Sequence, residues 1–337
     1  MERLPELRDS TSDRETYYGV PLLKEHVWKA AVPAYFYVGG VAGASAALGA
    51  AATWSGSPLL GGLVRKTRLI AAGGAAVSAA LLIEDLGRPS RFLNMLRVFR
   101  PTSPMSVGSW LLAGFGGAST IAALLSRHTG PLGAIGNGAA IGAGILGLPL
   151  AGYTAVLLSN TAVPVWQGAR TSLPPLFVSS AMTSAACVLD LCELDARERR
   201  VVRRFGLAGK VADLAFSKLV EREVARPAIA AAPLKNGASG ALWKGAKLLV
   251  AASLAISLLP RASPRVRRIS GWLGTCGSLA LRFGIVRAGT ASARDARTVS
   301  AQQRAALGKP PESEKLPAAR SFDAAEVRES PVQLRSR

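Results

Sequence analysis

Cysteine and histidine are scarce in this chain, and acids are outnumbered. There are three cysteines and two histidines in 337 residues, and 21 Asp and Glu stand against 41 Lys and Arg. Cys187, Cys192 and Cys276 form no CxxC or other ligand spacing, which excludes a sequence-encoded iron–sulfur or zinc site and leaves them as small apolar residues. The surplus of basic residues gives a formal net charge of +20, which raises the question of nucleic acid. No basic element with interleaved aromatics stands apart from the apolar runs, however, so nucleic acid is excluded as a partner and lipid headgroups or an acidic protein are the expected counter-charges. Residues 1–16 are polar and lack the apolar core of a cleavable signal.

What the chain has in abundance is uncharged length. Almost half of its residues are hydrophobic and 35 are glycine. Charges collect in the N-terminal tail, in short loops and after Arg287. This leaves windows of about 20 residues, the hydrocarbon thickness of a bilayer. A soluble domain would show amphipathic stripes instead. The sequence therefore predicts an all-α integral membrane protein of about eight transmembrane helices, arranged as two four-helix bundles. Residues 1–24 form a polar tail, 25–160 the first bundle, 161–290 the second and 291–337 a disordered polar tail. Spans are expected near 28–53, 69–83, 105–125, 132–159, 173–191, 241–259 and 269–286. The eighth, 205–221, contains Lys210, Asp213 and Lys218; it reads either as a polar span buried in the bundle or as a surface helix. Treating it as a span gathers the arginine clusters 197–204 and 261–268 on one side with Arg65, Lys66 and Arg68, as the positive-inside tendency favours. Gly39 with Gly43, and Gly138 with Gly142, are expected to let helices approach closely.

One connection is unlike the others. Residues 84–105 carry Glu84 and Asp85 at the end of a span, then Arg88, Arg91, Arg97 and Arg100 interleaved with Phe92, Leu93, Leu96, Val98 and Phe99. Phe92, Leu96 and Phe99 fall at i, i+4, i+7, which predicts a short helix lying on the membrane surface. Pro101 and Pro104 would end it and start the next span.

If each span crosses once, one face of the membrane gathers His26, Tyr35, Asp85, Arg88, Trp110 and Tyr153. Polar groups inside a bundle near one face are costly unless used. A carboxylate, an arginine and two phenols suit the carbonyl oxygens and protons of a quinone. The residues also admit plainer readings: interfacial aromatics for Tyr35 and Tyr37, a cap-and-turn ion pair for Asp85 and Arg88, a helix-to-helix hydrogen bond for Tyr153. The same count puts His26 and His128 on opposite faces, so neither a haem nor another bound metal is expected in this chain. Any electrons must arrive from a docked partner. In the second bundle, Asp190, Glu193, Lys210 and Asp213 read either as a proton path or as solvated helix ends.

Residues 85–92 (DLGRPSRF) and 100–110 (RPTSPMSVGSW), with 33–43 (PAYFYVGGVAG), Gly152-Tyr153-Thr154 and Pro164-Val165-Trp166, resemble the NrfD-like family of polysulfide reductase membrane subunits. The resemblance covers roughly residues 17–290. It implies a haem-free, multi-pass subunit of the bacterial cytoplasmic membrane. Such a subunit exchanges electrons between menaquinone or ubiquinone and an iron–sulfur subunit, which serves a molybdopterin catalytic subunit. By the same resemblance Tyr35 and Tyr153 contact the quinone; Trp110 and His26, which lies outside the matched motifs, are added to the cofactor-binding candidates from the shared face. Asp85 exchanges protons under the influence of Arg88, and Arg91, Arg97 and Arg100 dock the iron–sulfur subunit. Tyr35 stands where some members have histidine; a phenol can still hydrogen-bond a quinone oxygen. A multi-span transporter, or an anchor without quinone chemistry, remains open on the residues alone.

Overall fold

The computed structural model describes residue 23 and residues 28–225, 231–259 and 263–306. Among them every regular element is helical. The first bundle is built from α1 (Ala31–Trp54), α2 (Gly61–Leu86), α4 (Pro104–Leu124) and α5 (Gly130–Ser159), with the short α3 (Pro89–Met95) in the connection between α2 and α4. The second comprises α7 (Leu173–Asp190), α8 (Ala196–Val224), α10 (Gly237–Leu258) and α11 (Pro264–Arg294), with short α6 (Pro164–Gly168) and α9 (Ala232–Lys235) in its connections and α12 (Ala296–Ala306) after it. Within the first bundle α1 packs on α2 and α5, and α4 closes the ring against both. Within the second, α7 pairs with α8 and α10 with α11. The two bundles meet along α7, which lies against α1 and α5, with α11 also touching α1.

Seven of these helices are long and apolar enough to cross a membrane. The remaining long helix, α8, fails on composition, yet it spans the same depth. Glu198 in its first turn pairs with Lys66 beside the α1–α2 turn, at 3.1 Å, while Glu223 near its end accepts from Ser172, which precedes α7. Those anchors lie at opposite ends of the bundle, so α8 runs antiparallel to α7 from one face to the other. Its pattern is inside out: Lys210, Asp213 and Ser217 are buried, whereas Val211 and Leu219 face outward. In water this arrangement would be costly; against lipid it puts apolar surface where hydrocarbon lies. Hydropathy averages the two faces and misses the helix. The remaining exposed apolar residues, among them Leu124, Ile145, Leu248 and Trp272, form the rest of this lipid-facing surface.

Of the two glycine pairs that the spacing suggests, Gly43 makes the close approach, with Gly147 of α5 opposite it. A Cβ on Gly43 would collide with the backbone carbonyl of Gly147, and one on Gly147 with that of Gly43, so α1 and α5 touch backbone to backbone at this level. Nothing lies within 4 Å of a Cβ added to Gly138 or Gly142, so this GxxxG pair joins no helices in the monomer. A second correction concerns the C-terminal segment. Residues 291–306, expected to belong to a disordered polar tail, are helical instead, because α11 continues to Arg294 and α12 extends to Ala306. Residues 307–337 lie outside the described residues, as does all of the N-terminal tail but Leu23.

Candidate functional site

The α2–α4 connection is shaped by two helix ends. Gly87 adopts φ 71°, a left-handed conformation, and its N–H donates to the carbonyls of Ile83 and Glu84, so α2 stops at Leu86 with Gly87 as its cap. Glycine takes this conformation without a Cβ penalty. Arg91 Nη1 donates to the Leu86 carbonyl at 3.2 Å and occupies another of the acceptors that a helix end leaves open. Asp85 is thereby held in the last turn of α2, half-buried, at the membrane face where α4 begins. On the far side of the connection Pro104 sits in the first turn of α4, after Ser103 as N-cap.

Between these ends lies a narrow cleft, lined by Trp28, Val32, Tyr35, Phe36, Leu82, Asp85, Met95, Met105, Gly108 and Tyr153 among others. Three elements of the first bundle thus bring together Tyr35 from α1, Asp85 from α2 and Tyr153 from α5, residues far apart in the chain. The walls are otherwise apolar. Tyr153 donates its hydroxyl hydrogen to the Pro104 carbonyl at 2.7 Å, which ties α5 to the start of α4 and leaves the phenol oxygen able to accept. Tyr35 is 6 % exposed, and its hydroxyl has no hydrogen-bond partner among the described residues. The hydroxyl is not among the fully buried unpartnered atoms, so it is accessible to a partner in the cleft.

Gly108 and Trp28 shape this wall without being conspicuous in the sequence. A Cβ on Gly108 would overlap the ring and hydroxyl of Tyr153, so the glycine is what admits the tyrosine to the cleft. Its signal lay inside the VGSW string, where a glycine one turn into a span reads as packing. Trp28 stacks on Trp166 at 5.4 Å with 16° between the rings and meets Phe36 edge-on at 6.3 Å. Trp166 is itself fixed by Nε1 donating to the Ile285 carbonyl at 2.9 Å. The cleft wall therefore leans on the second bundle.

Other expected members fall elsewhere. Trp110 does not line the cleft; it is 42 % exposed and stacks edge-on against Phe99 at 6.1 Å, because one residue of helical rotation separates it from Ser109, which does. Arg88 is exposed, outside the cleft, and forms no ion pair with Asp85; α2 has already ended at Leu86, and Arg88 is extended backbone ahead of α3. His26 lies outside the described residues. Arg91, Arg97 and Arg100 are all exposed on the connection, at the same membrane face as the cleft. The surface helix is shorter than the i, i+4, i+7 spacing suggests: α3 ends at Met95, before Leu96 and Phe99 could join its apolar face. The segment after it is pinned by Ser106, whose hydroxyl donates to the Val98 carbonyl at 3.2 Å and accepts from the Arg100 N–H at 3.0 Å. Leu93, Val98 and Phe99 stay exposed, while Met95 turns into the cleft.

A family model described as polysulphide reductase, NrfD, matches residues 22–293, which takes in both bundles and every residue of the cleft. The chain belongs to the NrfD polysulphide reductase family. Comparison with curated proteins found no match. As an NrfD-family protein it is a multi-pass integral membrane subunit, with the role of a membrane anchor in a complex of polysulphide reductase type. Among the described residues no group of three or more His, Cys, Asp or Glu could hold a metal ion.

Proposed function

We propose that the NrfD-family cleft binds a quinone, menaquinone or ubiquinone, and that the chain exchanges electrons between the quinone pool and a docked iron–sulfur subunit, which in turn serves a molybdopterin catalytic subunit. The observation that carries this reading is the unpartnered Tyr35 hydroxyl in an apolar cleft whose other polar groups are few. Ligand sites are typically apolar with a small number of placed polar groups. A quinone head supplies two carbonyl acceptors and an apolar ring, and takes up two electrons and two protons on reduction. Tyr35 would donate to one carbonyl oxygen. Tyr153, already committed as a donor to Pro104, would accept from the hydroxyl of the reduced form. Asp85, at the rim, would exchange protons with water at the membrane face. The apolar walls would exclude water from the head group and suit an isoprenoid chain.

Three further expectations belong to this reading. The exposed Arg91, Arg97 and Arg100 would meet the iron–sulfur subunit at the cleft face, a short electron-transfer distance from the quinone. The membrane would be the bacterial cytoplasmic one. Trp110 and Arg88 are left without a direct role, since neither lines the cleft, while His26 lies outside the described residues.

The experiment is to purify the tagged chain in mild detergent with its co-purifying subunits and to quantify extracted quinone. It is then repeated with Tyr35→Phe and Asp85→Asn. Each variant should keep its subunits and lose quinone-linked turnover by about tenfold, one lost hydrogen bond of ~1.4 kcal/mol. Full turnover in both variants would refute the assignment.

A further inference from the structure

Basic residues of the second bundle gather in a recess at the membrane face opposite the cleft. The end of α7, the first turns of α8 and α11 and the last turn of α10 meet there, on the side where Glu198 of α8 pairs with Lys66 of α2. The recess measures about 310 Å³ and is lined by Asp190, Arg199, Arg203, Lys210, Ser257 and Arg267 among others. A second recess of about 260 Å³ adjoins it, sharing Asp190, Arg199 and Arg267 and adding Arg268 and Glu193. The first thus sets four cations against one carboxylate, and the second adds one charge of each sign, so a surplus of three positive charges remains. Among the described residues no carboxylate lies within ion-pair distance of Arg199, Arg203 or Lys210.

These cations are held in place by neutral acceptors. Arg199 Nη2 donates to the Leu194 carbonyl at 2.8 Å, Arg203 Nε to the Ser257 carbonyl at 3.0 Å, and Lys210 Nζ to Ser257 Oγ at 2.7 Å. Such bonds fix the side chains and leave each with further N–H donors. Lys210 lies deepest and is 2 % exposed. A buried ammonium without a close counter-charge is costly within a membrane. Phosphate answers this need, since its oxygens accept several charge-assisted hydrogen bonds and match the arginine fork. The rim is apolar: Ile256 and Leu259 line the recess, and Leu258, Leu259, Ile269 and Trp272 are each more than half exposed. A phosphate that reaches a buried floor while apolar chains cover this rim belongs to a lipid; a carboxylate on a broad protein surface would not reach Lys210. Basic pockets between membrane helices suit such headgroups.

We propose that this recess binds the phosphate of an anionic phospholipid. The phosphodiester oxygens accept from Arg199, Arg203 and Lys210, and the acyl chains lie along Leu259, Ile269 and Trp272. The lipid is a structural ligand: it supplies the negative charge that the surplus lacks and joins α8 to α10 and α11 at the one face where their basic residues converge. Unlike the quinone reading, this requires no partner subunit, and it stands on a different part of the molecule.

The test is thermal unfolding of the full chain in mixed micelles, titrated separately with phosphatidylglycerol, phosphatidylcholine and inorganic phosphate. Phosphatidylglycerol should raise the unfolding temperature to a plateau, as a ligand of the folded state does, and the other two should not. Replacing Arg199 and Arg203 together by Gln should raise the half-saturating phosphatidylglycerol content by about 30-fold, at ~1 kcal/mol for each basic residue. Arg200 and Arg204 are exposed on the same helix and line neither recess. Replacing that pair by Gln removes the same charge and should leave half-saturation unchanged. Should the first pair of changes prevent folding, Lys210→Gln alone should raise half-saturation by about fivefold. The proposal is overturned if phosphatidylcholine stabilises as well as phosphatidylglycerol, which would remove the anion from recognition. A full shift with inorganic phosphate overturns it in favour of a free-anion site. It also fails if the Arg200 and Arg204 variant loses as much affinity as the Arg199 and Arg203 variant, or if Lys210→Gln binds like the wild type.

Discussion

The fit between Gly108 and Tyr153 makes a prediction whose sign changes with context. A methyl group at position 108 would occupy space now filled by the Tyr153 ring and hydroxyl. The ring must then leave, breaking its 2.7 Å hydrogen bond to the Pro104 carbonyl. The lost bond is worth about 1 kcal/mol, and forcing the ring into new packing about 1–3 kcal/mol. Against this, alanine is a better helix residue than glycine by about 0.5–1 kcal/mol. Gly108→Ala should therefore destabilise the wild-type protein by about 2 kcal/mol. In a Tyr153→Ala background the obstruction is gone and only the helix term remains, so the same change should stabilise by about 0.5 kcal/mol. The coupling between the two sites is then about 2–3 kcal/mol, well above the ~0.5 kcal/mol scatter of independent sites. Reversible unfolding of the four members of this cycle in mixed micelles measures it. Additive effects within that scatter would show that Gly108 does not hold the place of Tyr153.

Other consequences can be read from the same contacts. Gly43→Ala should push α1 from α5 and destabilise by about 1–3 kcal/mol, whereas Gly138→Ala should be neutral or slightly stabilising; thermal unfolding of both in detergent distinguishes the real packing glycine from the merely patterned one. Lys66→Met would leave the buried Glu198 carboxylate unpaired at a cost of about 3 kcal/mol, and the double variant with Glu198→Gln should recover most of it in the same assay. Reversing the charges of Arg91, Arg97 and Arg100 together should reduce co-purification of the docked subunit without lowering the stability of the chain, with a smaller effect at high salt, where exposed charges are screened. Unaltered subunit recovery at low salt would remove these arginines from the docking surface.

The class of the protein was legible from charge-free windows alone, because a bilayer sets a span length that composition reports directly. Residues 33–43, 85–92 and 100–110 likewise carried the family resemblance in linear order, and the family match covers residues 22–293. Counting crossings placed Tyr35, Asp85 and Tyr153 at one membrane face, since parity survives ignorance of packing. What parity could not give was rotation. Trp110 and Ser109 are neighbours in sequence at the same depth, yet a helix turns about 100° per residue, and only the packed bundle shows that Ser109 meets the cleft while Trp110 faces out. Rotation also explains α8: its average composition is that of a surface helix, but tertiary contacts turn Lys210, Asp213 and Ser217 inward and put its apolar residues toward lipid. Glycine spacing failed for the same reason at Gly138 and Gly142, which share a helix face that meets no neighbour. Depth and periodicity are local properties of a chain; which face of each helix finds a partner is decided only when the eight helices pack together.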